Sequence, residues 1–240
     1  MKEYSIVKTQ NVKEAERLIR YLHERPITEM VGLGLIYGPP GLGKSRFARQ
    51  TAIQKDYIYM RLEATMTVKS FSIKLLEMIH FHFGMPKMRF RGTANEVFNR
   101  SLNILQNYPN TVIIIDEIDY AFKSKKILGS IRDIVDETLS IMVLVGMGDA
   151  KEKLLFADSH YFDRCNFFCE FKKLDSKDIQ LLCDEVCDVK LDPALVKHLS
   201  TKTKGNIRKL VKVLYSVENI AKTENLSVIG LRDITKMAIA

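Results

Sequence analysis

Among these 240 residues no apolar run approaches the ~20 needed to cross a bilayer, so the chain offers no candidate membrane-spanning helix. Met1-Lys2-Glu3-Tyr4-Ser5 lacks the apolar core of a secretory signal, and the expectation is a cytoplasmic protein with no membrane partner. Internal repeats and low-complexity segments are missing too. Cysteine is scarce: Cys165, Cys169, Cys183 and Cys187 form two C-x-x-x-C pairs. A zinc site is disfavoured by geometry. Cys165 and Cys169 flank and enter an apolar strand, where four extended residues span roughly 13 Å, too far for two thiolates on one ion. Cys183 and Cys187 stand at i, i+4 on a helical stripe, a spacing that marks buried packing more often than chelation. Reduced, buried thiols are expected.

Acidic residues are missing from three stretches. Met85–Asn95 carries Lys87, Arg89 and Arg91; Tyr120–Arg132 carries Lys123, Lys125, Lys126 and Arg132; Val196–Lys212 carries Lys197, Lys202, Lys204, Arg208, Lys209 and Lys212. The net charge is +8, and clusters of this kind are suited to neutralising phosphates. Solvated helix faces are the plainer alternative for any one of them.

What is present is a phosphate-binding loop. Gly38-Pro39-Pro40-Gly41-Leu42-Gly43-Lys44-Ser45 matches G-x-x-x-x-G-K-[ST] at every fixed position. Glycines let successive N–H groups point at phosphate oxygens, Lys44 reaches the β- and γ-phosphates, and the Ser45 hydroxyl ligates Mg²⁺. An apolar run at Gly34–Tyr37 reads as the strand before it. Arg46–Gln54 reads as the helix after it, its N-terminus facing the anion, so Arg46 completes the cofactor-binding run. Thr111-Val112-Ile113-Ile114-Ile115-Asp116-Glu117 reads as a strand buried on both faces, with acids at its carboxyl end, where α/β sheets place ligands. Asp116 is assigned to Mg²⁺, directly or through water, and Glu117 to the attacking water, which makes the chain a hydrolase. Asp119 is read as a cap of the next segment.

Helical periodicity covers Val12–His23, Ser70–Phe83, Asn95–Gln106 and Ile127–Thr138, and further strands are expected at Tyr57–Leu62, Ile141–Val145 and Asn166–Phe171. Five apolar strands alternating with helices predict an α/β fold with a doubly wound, five-stranded parallel sheet. After Phe171 the reading is helical throughout: Asp178–Cys187 capped by Asp175 or Ser176, a helix opened by Asp192-Pro193, then Asn206–Lys222 and about Ile229–Ile239. The expected division is a nucleotide-binding domain over 1–172 and a small helical domain over 173–240.

P-loop, extra strand, D-E strand, further strand and helical lid together resemble the AAA+ ATPases along nearly the whole chain. That resemblance implies ATP as the nucleotide, and the sequence contains no guanine-reading N/T-K-x-D motif. It also implies that Arg164 is an arginine finger reaching a neighbouring subunit's γ-phosphate. Arg208, in Gly205-Asn206-Ile207-Arg208, is similarly implied as a sensor 2 arginine acting within its own subunit. The sensor 1 position after Val145 departs from the pattern, offering Gly146-Met147-Gly148 where a polar side chain is usual.

Three stretches look like the DNA-transposition ATPases of the phage Mu B and TnsC type: Ile131–Glu137, Val143–Met147, and Phe171–Leu174 with Asp178. The N-terminal DNA-binding domain of phage Mu B has no counterpart in these residues. This resemblance implies ATP-dependent rings or filaments on duplex DNA, a transposase partner, and sequence-independent DNA contacts by Lys87, Arg89, Arg91, Lys123 and Lys125. Two alternatives stand beside it. One is a related ATPase of replication initiation, helicase loading or secretion-system assembly; the other is an ATP-gated interaction switch with little turnover.

Overall fold

The computed structural model describes residues 6–87, 91–157 and 164–235. Contacts divide the chain into two compact units. The α/β unit holds Glu14–Gly38 and Lys44–Glu170; the C-terminal unit gathers residues 6–13, Pro39–Gly43 and 171–235. The division passes twice through the phosphate-binding loop.

In the α/β unit five parallel strands run in the order β2-β3-β4-β1-β5: β1 (Leu33–Tyr37), β2 (Ile58–Arg61), β3 (Val112–Asp116), β4 (Ile141–Val145) and β5 (Cys165–Glu170). β3 and β4 are buried at every residue, as expected of strands covered on both faces. Their β-branched residues favour the pleated conformation, and each fully buried side chain of this size contributes about 1.5–3 kcal/mol. Around the sheet lie α1 (Gln10–Glu24), α2 (Lys44–Lys55), α3 (Val68–His82), α4 (Ala94–Gln106), a 3₁₀ helix (Ile118–Lys123), α5 (Lys125–Thr138) and α6 (Ala150–Ala157). α3 and α4 each begin with a capping box, Thr67 with Ser70 and Thr93 with Glu96, and Phe71, Leu75, Ile79 and Leu102 are buried in the core beneath them. Every strand and helix anticipated in this unit is present, with ends displaced by at most two residues.

The C-terminal unit corrects the all-helical reading. Between α7 (Ser176–Val186), α8 (Pro193–Thr203), α9 (Ile207–Thr223) and α10 (Leu231–Thr235) lies a parallel pair, β6 (Lys190–Leu191) and β7 (Val228–Ile229). Two residues per strand are too few to show a period. The final helix starts at Leu231 instead of Ile229, because Val228 and Ile229 are used as strand; its expected continuation beyond Thr235 lies outside the described residues. Of the two caps offered for α7 it is Asp175 that serves, Asp192 caps α8 as expected, and Asn206, read as the first residue of its helix, caps α9 instead. The segment before α1 joins this unit. Val7 enters its core, Asn11 exchanges two hydrogen bonds with the Lys172 backbone, and Asp178 accepts from the Gln10 N–H at 3.0 Å.

All four cysteines are buried thiols, two in β5 and two in the core of the C-terminal unit. Burial pushes the thiols of Cys165, Cys169 and Cys183 up to about 12, so they stay protonated at neutral pH. Among the described residues no helix is long and apolar enough to cross a membrane.

Gly205 shows why glycine stands at the α8–α9 turn. Its φ is +72°, and a Cβ there would sit 2.6 Å from the Leu174 carbonyl oxygen and 2.8 Å from the Leu174 nitrogen. Both neighbours are backbone and cannot swing aside. Gly205→Ala is expected to cost about 1–3 kcal/mol of stability, read as a lower urea midpoint.

Candidate nucleotide-binding and hydrolysis site

In the α/β unit β1 leads into Gly38, and α2 begins directly at Lys44. The Lys44 side chain is buried at 7% exposure and donates from Nζ to the Gly38 carbonyl at 2.6 Å. An ammonium carries three donors and can exchange a carbonyl acceptor for phosphate oxygens. Ser45 Oγ donates to Asp116 Oδ1 at 3.3 Å. Hydroxyl and carboxylate are the hard oxygen donors that Mg²⁺ prefers, so the residues present fit that ion.

β2 brings two residues to this carboxylate that the sequence reading passed over. Register pairs Tyr59 with Ile114 and Arg61 with Asp116. Tyr59 OH donates to Asp116 Oδ2 at 2.9 Å; burial first, then the Asp116 charge, pushes the phenol up to about 12. Asp116 thus has both oxygens engaged, Oδ1 also accepting the Glu117 N–H at 2.9 Å. Tyr59→Phe frees one oxygen and lets the carboxylate rotate. The half-saturating Mg²⁺ concentration for turnover should rise about 3- to 10-fold, a range set by the net contribution of about 1 kcal/mol that one ordinary hydrogen bond makes.

Glu117 adopts φ +59°, ψ +44°, the left-handed region that a side chain normally avoids at a cost of about 1–3 kcal/mol. The turn aims its carboxylate at β2, where Arg61 donates to Oε1 at 3.1 Å. That pair is open to solvent, with side-chain exposures of 55% and 27%, and contributes little to stability. Its consequence is positional: the carboxylate assigned to activate water is held by a guanidinium.

Asp119 does not cap the 3₁₀ helix. Its Oδ2 accepts the Met147 N–H at 2.8 Å, while the Met147 carbonyl accepts from the Gly38 N–H at 3.4 Å. A continuous set of hydrogen bonds therefore links Asp119, Met147, Gly38 and Lys44. The β4–α6 turn, where no polar side chain stands at Gly146-Met147-Gly148, is tied to the phosphate-binding loop through its backbone.

Within the C-terminal unit the loop apex, Pro39–Gly43, is fastened to the start of α9. Asn206 Nδ2 donates to the Pro40 carbonyl at 3.2 Å, and the Arg208 N–H donates to the Gly41 carbonyl at 3.0 Å. Leu42 is buried, and Gly41 and Gly43 have φ of +84° and +90°. A Cβ on Gly41 would lie 2.6 Å from Asn206 Nδ2. The loop glycines therefore serve close packing as well as backbone direction.

A family profile for the AAA domain matches residues 29–154, just over half of the chain. The chain belongs to the AAA domain family. It is 24% identical over 200 residues to the replication factor C large subunit of Thermofilum pendens, covering 80% of this chain and 42% of that protein. Over 195 residues it is 24% identical to replication factor C subunit 1 of Saccharomyces cerevisiae, covering 80% of this chain and 21% of that one. The chain thus spans less than half the length of either relative. Among solved structures it resembles the Aeropyrum pernix ORC1 protein in complex with DNA, with TM-score 0.69, 18% identity, and 98% and 66% of the two chains covered. It also resembles the Thermotoga maritima RuvB Holliday junction branch migration motor, with TM-score 0.58, 16% identity, and 96% and 68% covered. At these identities the structural likeness speaks for the fold alone.

The remaining candidates of this AAA domain are dispersed. Arg164, at the start of β5, donates from Nε to both carboxylate oxygens of Asp136 at 3.1 Å, so it is engaged within its own subunit. Arg208 is exposed at the first turn of α9 and forms no ion pair among the described residues. Arg46 donates to Gln50 at 3.3 Å. Lys87 and Arg91 are exposed in the α3–α4 connection, and Lys123 and Lys125 around the end of the 3₁₀ helix. Among the described residues no hydrogen bond or ion pair joins these two groups, and Arg89 lies outside the described residues.

Proposed function

We propose that this AAA domain hydrolyses ATP and works as an assembling, DNA-associated ATPase of the kind used in replication initiation or loading. The observation that carries the hydrolytic reading is the carboxylate pair at the end of β3. Asp116 is oriented by Ser45, Tyr59 and the Glu117 N–H, and Glu117 is presented by a left-handed turn. Lys44 grips the phosphates once its bond to Gly38 is exchanged for them, and Ser45 and Asp116 would hold Mg²⁺, which when bound would neutralise charge on the transferring phosphoryl group. Glu117 takes the proton of the attacking water after its carboxylate leaves Arg61, whose hold keeps basal turnover low. Arg164, released from Asp136, and Arg208 add positive charge against the phosphoryl oxygens, the first in a neighbouring copy of the chain.

The replication setting is supported by the relatives named replication factor C and by the fold shared with an ORC1 protein in complex with DNA. These likenesses favour initiation or loading over the transposition role and transposase partner anticipated from the sequence. Lys87, Arg91, Lys123 and Lys125 are the cations proposed to meet the duplex; all are exposed without an ion pair among the described residues. The test is ATPase rate per subunit against protein concentration, with and without duplex DNA. Rates that rise with both support assembly on DNA; a flat response removes it.

A nucleotide-gated switch with slow turnover is the second reading. The Arg61 hold on Glu117 and the apolar Gly146-Met147-Gly148 turn favour it. There, ATP binding alone changes DNA affinity, and Glu117→Gln leaves that change intact.

A further inference from the structure

The acid-free stretch 196–212 has no part in the function above except through Arg208. From Pro193 to Val217 the sequence contains no Asp or Glu. α8 buries Leu195, Val196, Leu199 and Thr203, and α9 buries Leu210, Leu214, Val217 and Ala221. Away from those buried rows stand Lys197 on α8 and Lys209, Lys212 and Tyr215 on α9, and Lys202 lies at the last turn of α8, all exposed. The turn through Lys204 and Gly205 joins the two helices, so Lys202, Lys204 and Lys209 cluster around one short connection. Lys209, Lys212 and Tyr215 succeed one another at three-residue spacing. With a rise of about 1.5 Å per residue, they form one continuous strip on α9.

None of these five lysines forms an ion pair among the described residues. Six acids of the same unit have partners elsewhere. Asp175 and Asp192 cap helices, Asp178 accepts from Gln10, Asp188 and Glu218 hold Lys222, and Asp233 accepts from Gly230. Tyr215, 58% exposed, stands beside the cations with a hydroxyl able to reach a phosphate. A strip of point charges with no planar fork or amide positions a backbone and reads no sequence.

We propose that the outer face of α8 and α9 is a second surface for duplex DNA, holding the sugar–phosphate backbone through Lys202, Lys204, Lys209 and Lys212 with Tyr215 alongside. It lies in a different unit from Lys87, Arg91, Lys123 and Lys125, and it rests on the same reading that the chain works on DNA.

The experiment is fluorescence anisotropy on a labelled duplex across a salt series, using the full chain with ATP. The Lys202→Gln/Lys209→Gln/Lys212→Gln variant is compared with the parent and with a charge-matched control, Lys55→Gln/Lys69→Gln/Lys177→Gln. Each lost phosphate contact should flatten the plot of log affinity against log salt by about 0.9, so the first variant should lose about 2 to 3 in slope and bind at least tenfold more weakly. DNA-free ATPase activity equal to the parent's establishes that the variant is folded. A parent-like slope, or an equal loss in the control, overturns this surface while leaving the DNA reading standing. Absence of salt-dependent duplex binding by the parent overturns both.

Discussion

Replacing Glu117 by Gln should lower ATP turnover by about 10²–10⁴-fold while leaving nucleotide affinity nearly unchanged. That range is what a positioned general base contributes to a proton transfer. The substitution keeps the volume and a hydrogen-bonding oxygen, so the left-handed turn and the Asp116 bond to its N–H have no reason to change. What is lost is the capacity to accept a proton, together with the charge that pairs with Arg61. The measurement is single-turnover hydrolysis with nucleotide affinity determined separately. A turnover within about threefold of the parent would mean that another group, or no group, takes the proton. Arg61→Ala provides the opposing arm. Freed from the 3.1 Å contact, the carboxylate can reach water without first breaking an ion pair, and basal turnover should rise.

Lys44→Ala should weaken ATP binding by roughly 10²–10⁴-fold, the loss of about two charge-assisted hydrogen bonds at about 1.5–3 kcal/mol each. The apoprotein should tolerate it. Lys44 Nζ donates to the Gly38 carbonyl, and removing a buried cation lowers desolvation cost even as that bond disappears. Thermal unfolding with and without ATP reads both effects. The parent melting temperature should climb with ATP concentration by mass action, whereas the variant starts near the parent value and fails to climb. A variant still stabilised at the parent's concentrations would show that the loop is not where the phosphates are held.

Much of this was legible in residues taken one segment at a time. β3 and β4 could be located because four or five consecutive apolar residues, rich in β-branching, have no other stable home than the interior of a covered sheet. Caps at Asp175 and Asp192 were legible because a short polar side chain before a helical period satisfies local N–H groups. The phosphate-binding loop needed only its own spacing. Tyr59 and Arg61 were not legible as site residues. Alternation with Ile58 and Met60 places them on one side of β2, but nothing local says that β2 lies beside β3. Asp119 was misread for the same reason, since its partner Met147 is 28 residues away.

The sequence by itself determined that this chain builds a parallel sheet with a phosphate-binding loop after one strand and an acidic pair after another, because each signal is written within about ten consecutive residues. Tertiary structure alone decided which strand flanks the acidic pair, and so which side chains orient Asp116 and restrain Glu117. It also decided that Arg164 rests on Asp136, that Asn206 fastens the loop apex, and that the lysines of α8 and α9 form no ion pair among the described residues. The physical reason is range. Backbone propensity, capping and burial of apolar runs act between near neighbours in the chain, whereas hydrogen bonds and ion pairs between strands and helices depend on the order in which the sheet assembles.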